Sequence, residues 1–428
     1  MAAATSCGGS DRLGALPDQI LQHALSFLPS REAVRTCLLA RRWRDQWKSA
    51  PALRITGLES FETTRQINDF VNHLIALRNR TPLHACEIVA YKEYKGDERN
   101  YNNSERDEIF RYTDLWIRYA MSCHVQLLRL CNHDPDDVEA EDQYLERVLL
   151  QAPIASRHLT TLELDGVAFW REYPLDLSSC TNLETVKMNR CSSLIDVNIS
   201  SRSVRCLCIT HYDFYSYQEK PRALIYVPSL VYLELTGGRG LVPAFESMPL
   251  LQTASIELDH WSNRDDKDGS LLLGRLSDTT DLQLFAEPQA LAFRKDLIGC
   301  TSFSMLKTLS LNDWCVEPDF GPLHHFLQRS PSLEKLCLRL SKPYEPAKET
   351  DGSYDSSTEA FLAPKHLRVV KIRCQANDER GPKILKVMSS YGVPAEQINV
   401  KEGNWSSEGS YSDSEQSDYS YSDTDQSD

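Results

Sequence analysis

Through the middle of the chain, triplets of apolar or small residues recur with the spacing L-x-x-L-x-L. Nine triplets are clear, and their first residues are 24, 21, 26, 21, 28, 27, 27 and 34 positions apart. They are Leu159/Leu162/Leu164, Leu183/Val186/Met188, Val204/Leu207/Ile209, Leu230/Leu233/Leu235, Leu251/Ala254/Ile256, Thr279/Leu282/Leu284, Leu306/Leu309/Leu311, Leu333/Leu336/Leu338 and Leu367/Val370/Ile372. Two weaker triplets precede them, Leu83/Cys86/Ile88 and Val125/Leu128/Leu130. The alternation that ends each triplet predicts a short strand with one buried face.

One such unit cannot bury its apolar face, which only stacking on neighbouring units covers. Repeats of about 20–29 residues with this pattern are typical of leucine-rich repeats. The sequence therefore predicts an α/β fold, a leucine-rich-repeat solenoid with a curved parallel β-sheet over residues 156–376. The residues between the apolar positions are expected to point outwards and to form a protein-binding surface. They include Thr161, Glu163, Thr185, Lys187, Tyr232, Glu234, Thr308, Ser310, Lys335 and Cys337.

The first fifty residues follow a different pattern, with apolar residues at helical spacing. Pro17 suits a first helical turn, and Ser30, after Pro29, is the expected N-cap of a second helix. Trp43 and Trp47 lie four residues apart in the third part of this segment. The pattern predicts three short helices, which are too little chain to cover so much apolar surface without a partner or a neighbouring domain.

These residues resemble the F-box of plant F-box/LRR-repeat proteins over residues 11–52. The matching runs are Asp11–Asp18, Ile20–Leu21, Leu25–Pro29, Ala33–Thr36 and Arg41–Arg44, together with His23 and Trp47. Two positions depart from that family: Gly14 stands where a serine is common, and Ala40 stands where a serine usually precedes the Arg-Arg-Trp segment. A serine cap on the third helix would be worth about 1 kcal/mol. Neither change removes an apolar contact residue.

The resemblance implies a non-catalytic subunit of a Skp–cullin–F-box ubiquitin ligase, whose F-box binds the Skp-type adaptor and through it the cullin. It implies that the docking face and its supporting core lie among Leu16, Pro17, Ile20, Leu21, Leu25, Leu28, Val34, Leu38, Leu39, Trp43 and Trp47. The alternative for these residues is that all of them are internal to a helical cap. The repeats would then hold an unknown protein substrate for ubiquitination. The alternative function is a scaffold that binds the Skp adaptor but regulates its partner without degradation.

The remaining segments are assigned from their composition. Residues 1–10 are predicted to be disordered, residues 53–155 to be a helical junction with degenerate repeats, and residues 377–402 to be a C-terminal cap unit. That cap resembles the short domain at the end of many such plant proteins. Residues 403–428 carry seven acids and no Lys or Arg, which predicts a disordered tail. Its candidate phosphosites, each three residues before an acid, are Ser410, Ser412, Ser420 and Ser422; a plain solubilising tail is the alternative.

Composition and motifs exclude several function classes. The net charge of −14 argues against a nucleic-acid partner, because such proteins need a basic surface. No apolar run predicts a membrane span and no secretory signal is visible, so we expect a nuclear and/or cytoplasmic protein with reduced thiols.

Cys206 and Cys208 are one residue apart, and no second cysteine pair lies at zinc spacing. We therefore expect neither a metal nor another cofactor, and the chain carries no hydrolase, P-loop or kinase signature.

Two features leave the mode of target binding open. Tyr212, Phe214, Tyr215 and Tyr217 are candidate target contacts, because clustered exposed tyrosines are typical of interfaces; a solvated loop is the alternative. Some members of the plant family bind small hormones or inositol phosphates under the solenoid. That would need a basic cluster, for which the few candidates are Arg202, Arg205, Lys220 and Arg222.

Overall fold

The computed structural model of the chain describes the backbone of residues 15–78, 80–89, 103–132, 148–149, 154–169, 175–193, 198–214, 223–240, 242–258, 272–286, 292–299, 302–316, 320–340, 363–375 and 378–403. The predicted disordered segment 1–10 and all of the predicted disordered tail 403–428 except Gly403 lie outside these residues. So do Tyr215, Tyr217 and the candidate phosphosites Ser410, Ser412, Ser420 and Ser422.

One parallel sheet runs through the whole described part of the chain. Its thirteen strands there are Ala52–Ile55 (β1), Ala85–Val89 (β2), Leu127–Cys131 (β3), Thr161–Asp165 (β4), Thr185–Asn189 (β5), Cys206–Thr210 (β6), Tyr232–Gly240 (β7), Thr253–Leu258 (β8), Asp281–Ala286 (β9), Thr308–Asn312 (β10), Lys335–Arg339 (β11), Val369–Cys374 (β12) and Ile398–Glu402 (β13). Each strand pairs with the next one along the chain, so that equivalent residues of successive triplets lie side by side. The predicted α/β solenoid is therefore the observed fold.

The repeat register predicted from the triplets is confirmed. Every residue of the eleven triplets is buried, including the polar Thr279, whose hydroxyl donates a hydrogen bond to the carbonyl oxygen of Leu276 at 2.8 Å. The sheet also has one more strand at each end than the triplets predict, β1 and β13. The segment predicted as a helical junction thus contains β1, β2 and β3 of the same sheet.

Helices and turns pack on the buried side of the sheet and complete the core. The α-helices are Asp18–Leu25 (α1), Ser30–Arg35 (α2), Thr64–Leu77 (α3), Asn103–Ser122 (α4), Leu272–Arg275 (α5), Ala292–Gly299 (α6), Gly321–Arg329 (α7) and Arg380–Ser390 (α8). Turns of 3₁₀-helix cover Thr36–Leu38, Arg41–Trp43, Gln46–Ser49, Leu58–Ser60, Asp313–Cys315 and Ala395–Gln397. No helix in the described part of the chain has the length and apolar content needed to cross a bilayer.

The N-terminal helices cover the first strand of the sheet. Trp47 and Ala50 belong to the same apolar cluster as Leu53 of β1. The buried guanidinium of Arg78, just after α3, donates hydrogen bonds to the carbonyl oxygens of Trp47 at 3.1 Å and Ala50 at 2.6 Å. The helices and the solenoid therefore share one continuous core and are fixed to each other by a buried cation.

Strand β1 makes a second connection to these helices through Arg54. Its guanidinium Nε donates to the carbonyl oxygen of Ser26 at 2.8 Å, and its backbone N–H donates to the hydroxyl of Ser30 at 3.2 Å. The expectation that Ser30 caps α2 is wrong, because Ser30 is the first helical residue and Pro29 occupies the cap position. The serine hydroxyl joins the two units instead.

At the other end of the sheet, α8 covers the last repeats through a buried ion-pair cluster. The guanidinium of Arg380 lies 2.7 Å from the carboxylate of Asp313 and 2.8 Å from that of Asp378. All three side chains are buried. Removing one member of such a cluster leaves an uncompensated buried charge and costs about 3–5 kcal/mol, so the cluster fixes α8 in place.

The prediction that Tyr212 is an exposed target contact is wrong, because its side chain is only 1% exposed. Short parallel strands follow the main ones at Val167–Phe169, Ser192–Ser193 and Asp213–Phe214, and the last pairs with the end of β7. In this register Tyr212 takes the inward position that the buried residues Val167 and Cys191 hold in earlier repeats. Gly238 makes room for the ring, since a Cβ at that position would lie 1.9 Å from Tyr212 Cζ. The Phe214 side chain lies outside the described residues.

This packing predicts that Gly238→Ala destabilises the solenoid. A methyl group at 1.9 Å from the Tyr212 ring overpacks the core, and we expect a loss of about 1–3 kcal/mol in the free energy of unfolding, measured by denaturant titration. In a Tyr212→Val background, Gly238→Ala should lower the free energy of unfolding by less, because the tyrosine ring that the new methyl group would meet is absent. Gly274→Ala is the control, since a Cβ there meets nothing within 4 Å. Equal midpoints for the two glycine variants would contradict the packing of Tyr212.

Candidate functional site

The N-terminal segment folds as two α-helices and three single turns of 3₁₀-helix. α1 and α2 match the first two predicted helices, but the third consists of the 3₁₀ turns Arg41–Trp43 and Gln46–Ser49. Ala40 takes the N-cap position of the first turn in an extended conformation and provides no side-chain hydrogen bond. The serine that is usual in the plant family is therefore missing at a position where it would act as a cap.

Some of the predicted docking residues are core residues instead. Leu21, Leu25 and Trp47 are buried, and Val34 and Trp43 are partly buried against the same apolar cluster. Their role is to hold the short helices against one another and against β1. They support a docking face but do not offer one.

The other predicted residues remain available at the surface. Ile20, Leu28, Leu38 and Leu39 are 49%, 37%, 82% and 71% exposed, Pro17 is exposed, and Leu16 is half-buried. Phe27 is 64% exposed and was missed as a docking residue, although it lies inside the run that resembles the F-box. Five of the eleven large apolar side chains that are exposed in the described part of the chain thus lie between residues 20 and 39. Such a concentration marks an interaction surface.

An ion pair connects the start of α1 to the third part of this segment. Arg42 lies 2.9 Å from Asp18 and also donates a hydrogen bond to the carbonyl oxygen of Leu16. The hydrogen bond from Arg42 lowers the pKa of the Asp18 carboxyl group, with a further contribution from Gln46. Gln22 donates to Gln46 at 3.0 Å beside this pair. These polar contacts hold the exposed apolar side chains in a fixed arrangement.

The second candidate surface is the face of the sheet that points away from the core, here called the open face. Its residues alternate with the buried ones along each strand. Across β1 to β5 the central row of this face alternates in charge, and the order is Arg54, Glu87, Arg129, Glu163 and Lys187. Arg54 pairs with Glu87, Arg129 lies 3.4 Å from Glu87 and 3.8 Å from Glu163, and Lys187 lies 3.1 Å from Glu163. Each of the two acids in this row is thus paired with a base on both sides.

Cys206 and Cys208 follow this row on β6 and lie on the open face, partly exposed, with their sulfur atoms 3.9 Å apart. The hydrogen bond from Cys208 lowers the pKa of the Cys206 thiol to about 7, and the nearby Lys187 adds to the effect. The same hydrogen bond, together with desolvation, raises the pKa of Cys208. Among the described residues, no group of three or more His, Cys, Asp or Glu side chains is arranged to hold a metal ion.

The asymmetry of this pair predicts selective alkylation. The thiol of Cys206 has a pKa of about 7. Its rate of alkylation by iodoacetamide should therefore rise with pH around a midpoint about 1.5 pH units below that of an ordinary cysteine. Peptide mapping after brief labelling should find the label on Cys206 and little on Cys208. Cys208→Ala removes the donor, so the midpoint should move up. A wild-type midpoint near the ordinary cysteine value would contradict the proposed thiolate stabilisation.

Comparisons with known proteins match both the N-terminal segment and most of the rest of the chain. The F-box domain family matches residues 13–54. An F-box/LRR-repeat protein of Arabidopsis thaliana is 25% identical over 367 residues, which are 78% of this chain and 73% of the relative. An FBD-associated F-box protein of the same plant is 25% identical over 403 residues, covering 89% of this chain and 87% of the relative. An F-box/FBD/LRR-repeat protein, also from Arabidopsis, is 25% identical over 338 residues and covers 77% of each chain.

The matched F-box residues are those that form the N-terminal helices and β1, and the matches to the plant proteins continue through the repeats. An F-box role as adaptor in a ubiquitin ligase follows in general terms from this domain, and with it binding to a Skp-type adaptor. The resemblance seen in the sequence is confirmed, because residues 13–54 match the F-box domain and most of the chain is similar to plant F-box/LRR-repeat proteins.

Proposed function

We propose that this chain is the substrate-recognition subunit of a Skp–cullin–F-box ubiquitin ligase, acting in the nucleus or the cytoplasm. Its F-box docks on the Skp adaptor, and the open face of its solenoid holds a target protein for ubiquitination. The observation that carries the proposal is the exposure of Ile20, Phe27, Leu28, Leu38 and Leu39 on the one segment that matches the F-box. An apolar surface of this kind becomes stable in water when a partner covers it.

In this role the chain performs no bond chemistry. It increases the effective concentration of the target near the charged ubiquitin-conjugating enzyme by holding both on one scaffold. A rigid connection between the two binding surfaces favours this mechanism, because it restricts the positions that a bound target can occupy. The buried hydrogen bonds from Arg78 to Trp47 and Ala50 provide such a connection.

Docking is expected to depend on the exposed leucines of the F-box. In Leu38→Ala/Leu39→Ala, affinity for a purified Skp adaptor should fall by about 100-fold or more, because each leucine buried in an interface contributes about 1.5–3 kcal/mol. Calorimetric titration measures the loss. The thermal stability of the free protein should not change, since both side chains are exposed in the absence of a partner.

The matched control is Leu250→Ala/Met305→Ala, which removes two side chains that are 57% and 54% exposed on the solenoid. This variant should bind the adaptor like the wild type. Leu21→Ala is not suitable as a test, because its buried side chain supports the fold. Undiminished adaptor binding by a folded Leu38→Ala/Leu39→Ala protein would refute the docking assignment.

Degradation of the target is tested by affinity purification of the full chain from plant cells with and without proteasome inhibition. The adaptor and the cullin should co-purify in both conditions, and the target should be enriched only under inhibition. The Leu38→Ala/Leu39→Ala variant should retain the target without inhibition, because it cannot bring the ligase to it. A partner that is recovered equally in all conditions would support the scaffold alternative, in which the chain regulates its partner without degradation.

A further inference from the structure

The charges on the open face are distributed differently in the two halves of the solenoid. From β1 to β5, acids and bases of the central row alternate and pair with one another. On β11, β12 and β13 the open-face positions are Lys335, Cys337, Arg339, Val369, Lys371, Arg373, Asn399 and Lys401. Five of these eight residues are basic and none is acidic. The C-terminal end of the open face therefore carries a positive charge on a chain whose net charge is −14.

Three of these cations form a continuous row. Arg339 pairs in register with Arg373, and Arg373 pairs with Lys401. Neighbouring strands of a sheet are about 4.8 Å apart, so the row concentrates three positive charges within about 10 Å. We call the five residues Lys335, Arg339, Lys371, Arg373 and Lys401 the basic surface.

An aromatic residue holds one of these cations in position. The guanidinium of Arg339 lies over the ring of Phe285, 5.1 Å from its centroid, and so reaches across β10 to β9. Phe285 is buried although it lies on the open face. An arginine that is ordered before binding loses less side-chain entropy when it binds an anion. The basic surface is therefore preorganised at its β11 edge.

The open-face residues of β10 beside the basic surface are neutral, and one of them, Asn312, pairs in register with Arg339. Thr308 and Ser310 on β10 and Cys337 on β11 lie next to the cations, and Ser310 is buried. Side chains two residues apart in an extended segment point to the same side and are separated by about 7 Å, so alternate acids of such a segment can contact cations on neighbouring strands.

We propose that the basic surface binds an acidic, extended segment of the target protein. The inference rests on the proposed function, since it names the chemistry of the target that the adaptor holds. Charge complementarity selects an acidic occupant, and the row across β11, β12 and β13 selects an extended one.

The test uses the full-length protein and a fluorescein-labelled peptide of about twelve alternating Glu and Ser residues, which at about 3.3 Å per residue crosses three strands. The anisotropy of the label should rise on addition of the wild-type protein. A neutral peptide of alternating Gln and Ser should show no binding. Binding of the acidic peptide should weaken as the salt concentration rises, because the contacts are exposed to solvent.

Arg339→Glu/Lys401→Glu should weaken binding of the acidic peptide by about tenfold or more, which corresponds to about 1.4 kcal/mol. Lys335→Glu/Lys401→Glu should also weaken it and leaves the Phe285 contact intact. The matched control is Lys365→Glu/Lys386→Glu, which makes the same change in net charge at exposed positions off the open face. It should bind within about threefold of the wild type, a difference of about 0.65 kcal/mol.

Equal binding by the folded Arg339→Glu/Lys401→Glu and wild-type proteins would overturn the proposal, and so would an equal loss in the control. Tighter binding of a single-stranded oligonucleotide than of the peptide would replace it with a nucleic-acid surface. Peptide binding that appears only after truncation at Gly403 would assign the surface to the chain's own acidic tail.

Adaptor binding measured on the same variants keeps the two proposals separate. The Leu38→Ala/Leu39→Ala protein should bind the peptide normally, and the Arg339→Glu/Lys401→Glu protein should bind the adaptor normally.

Discussion

The structure depends on a single constraint, which is that each strand of the solenoid has an apolar side that its own repeat cannot cover. Neighbouring repeats cover it within the stack, and the two ends need other elements. At the N-terminal end, Trp47 and Ala50 pack into the same core as Leu53, so the F-box is also the cap of the solenoid. At the C-terminal end, α8 is held by the buried Arg380 pairs with Asp313 and Asp378. The F-box and the repeats are thus parts of one folding unit.

The same constraint separates stability from recognition. Because the buried side of every strand is filled by the triplets, the open face is free to vary without loss of the core. The chain uses this freedom in two ways: alternating charges that pair across β1 to β5, and a row of cations on β11 to β13. Solvent-exposed ion pairs contribute little to stability, so the paired half mainly removes charge from that surface. It thereby limits electrostatic attraction to the other half.

The sequence predicted the repeats well because their signal is periodic and each unit repeats the same packing. It missed β1 and β13, although Ala50/Leu53/Ile55 and Ala395/Ile398/Val400 have the triplet spacing. An alanine at the first position weakens the pattern at both ends of the sheet. Tyr212 was misassigned for a different reason. Its neighbours are polar and aromatic, but its burial is decided by the register of the short strands and by Gly238, 26 residues later.

In the F-box, the sequence identified the segment but could not separate contact residues from core residues. Helical periodicity assigns one face to the core, but Leu38 and Leu39 lie at the end of a 3₁₀ turn, where α-helical spacing does not apply. Phe27 follows α1 and points into solvent, which no periodicity in the sequence predicts. Burial in so small a unit is decided by its contacts with β1, made through Arg54, and with the end of α3, made through Arg78. The exposed apolar face of the F-box is therefore what remains once the F-box has packed on the solenoid.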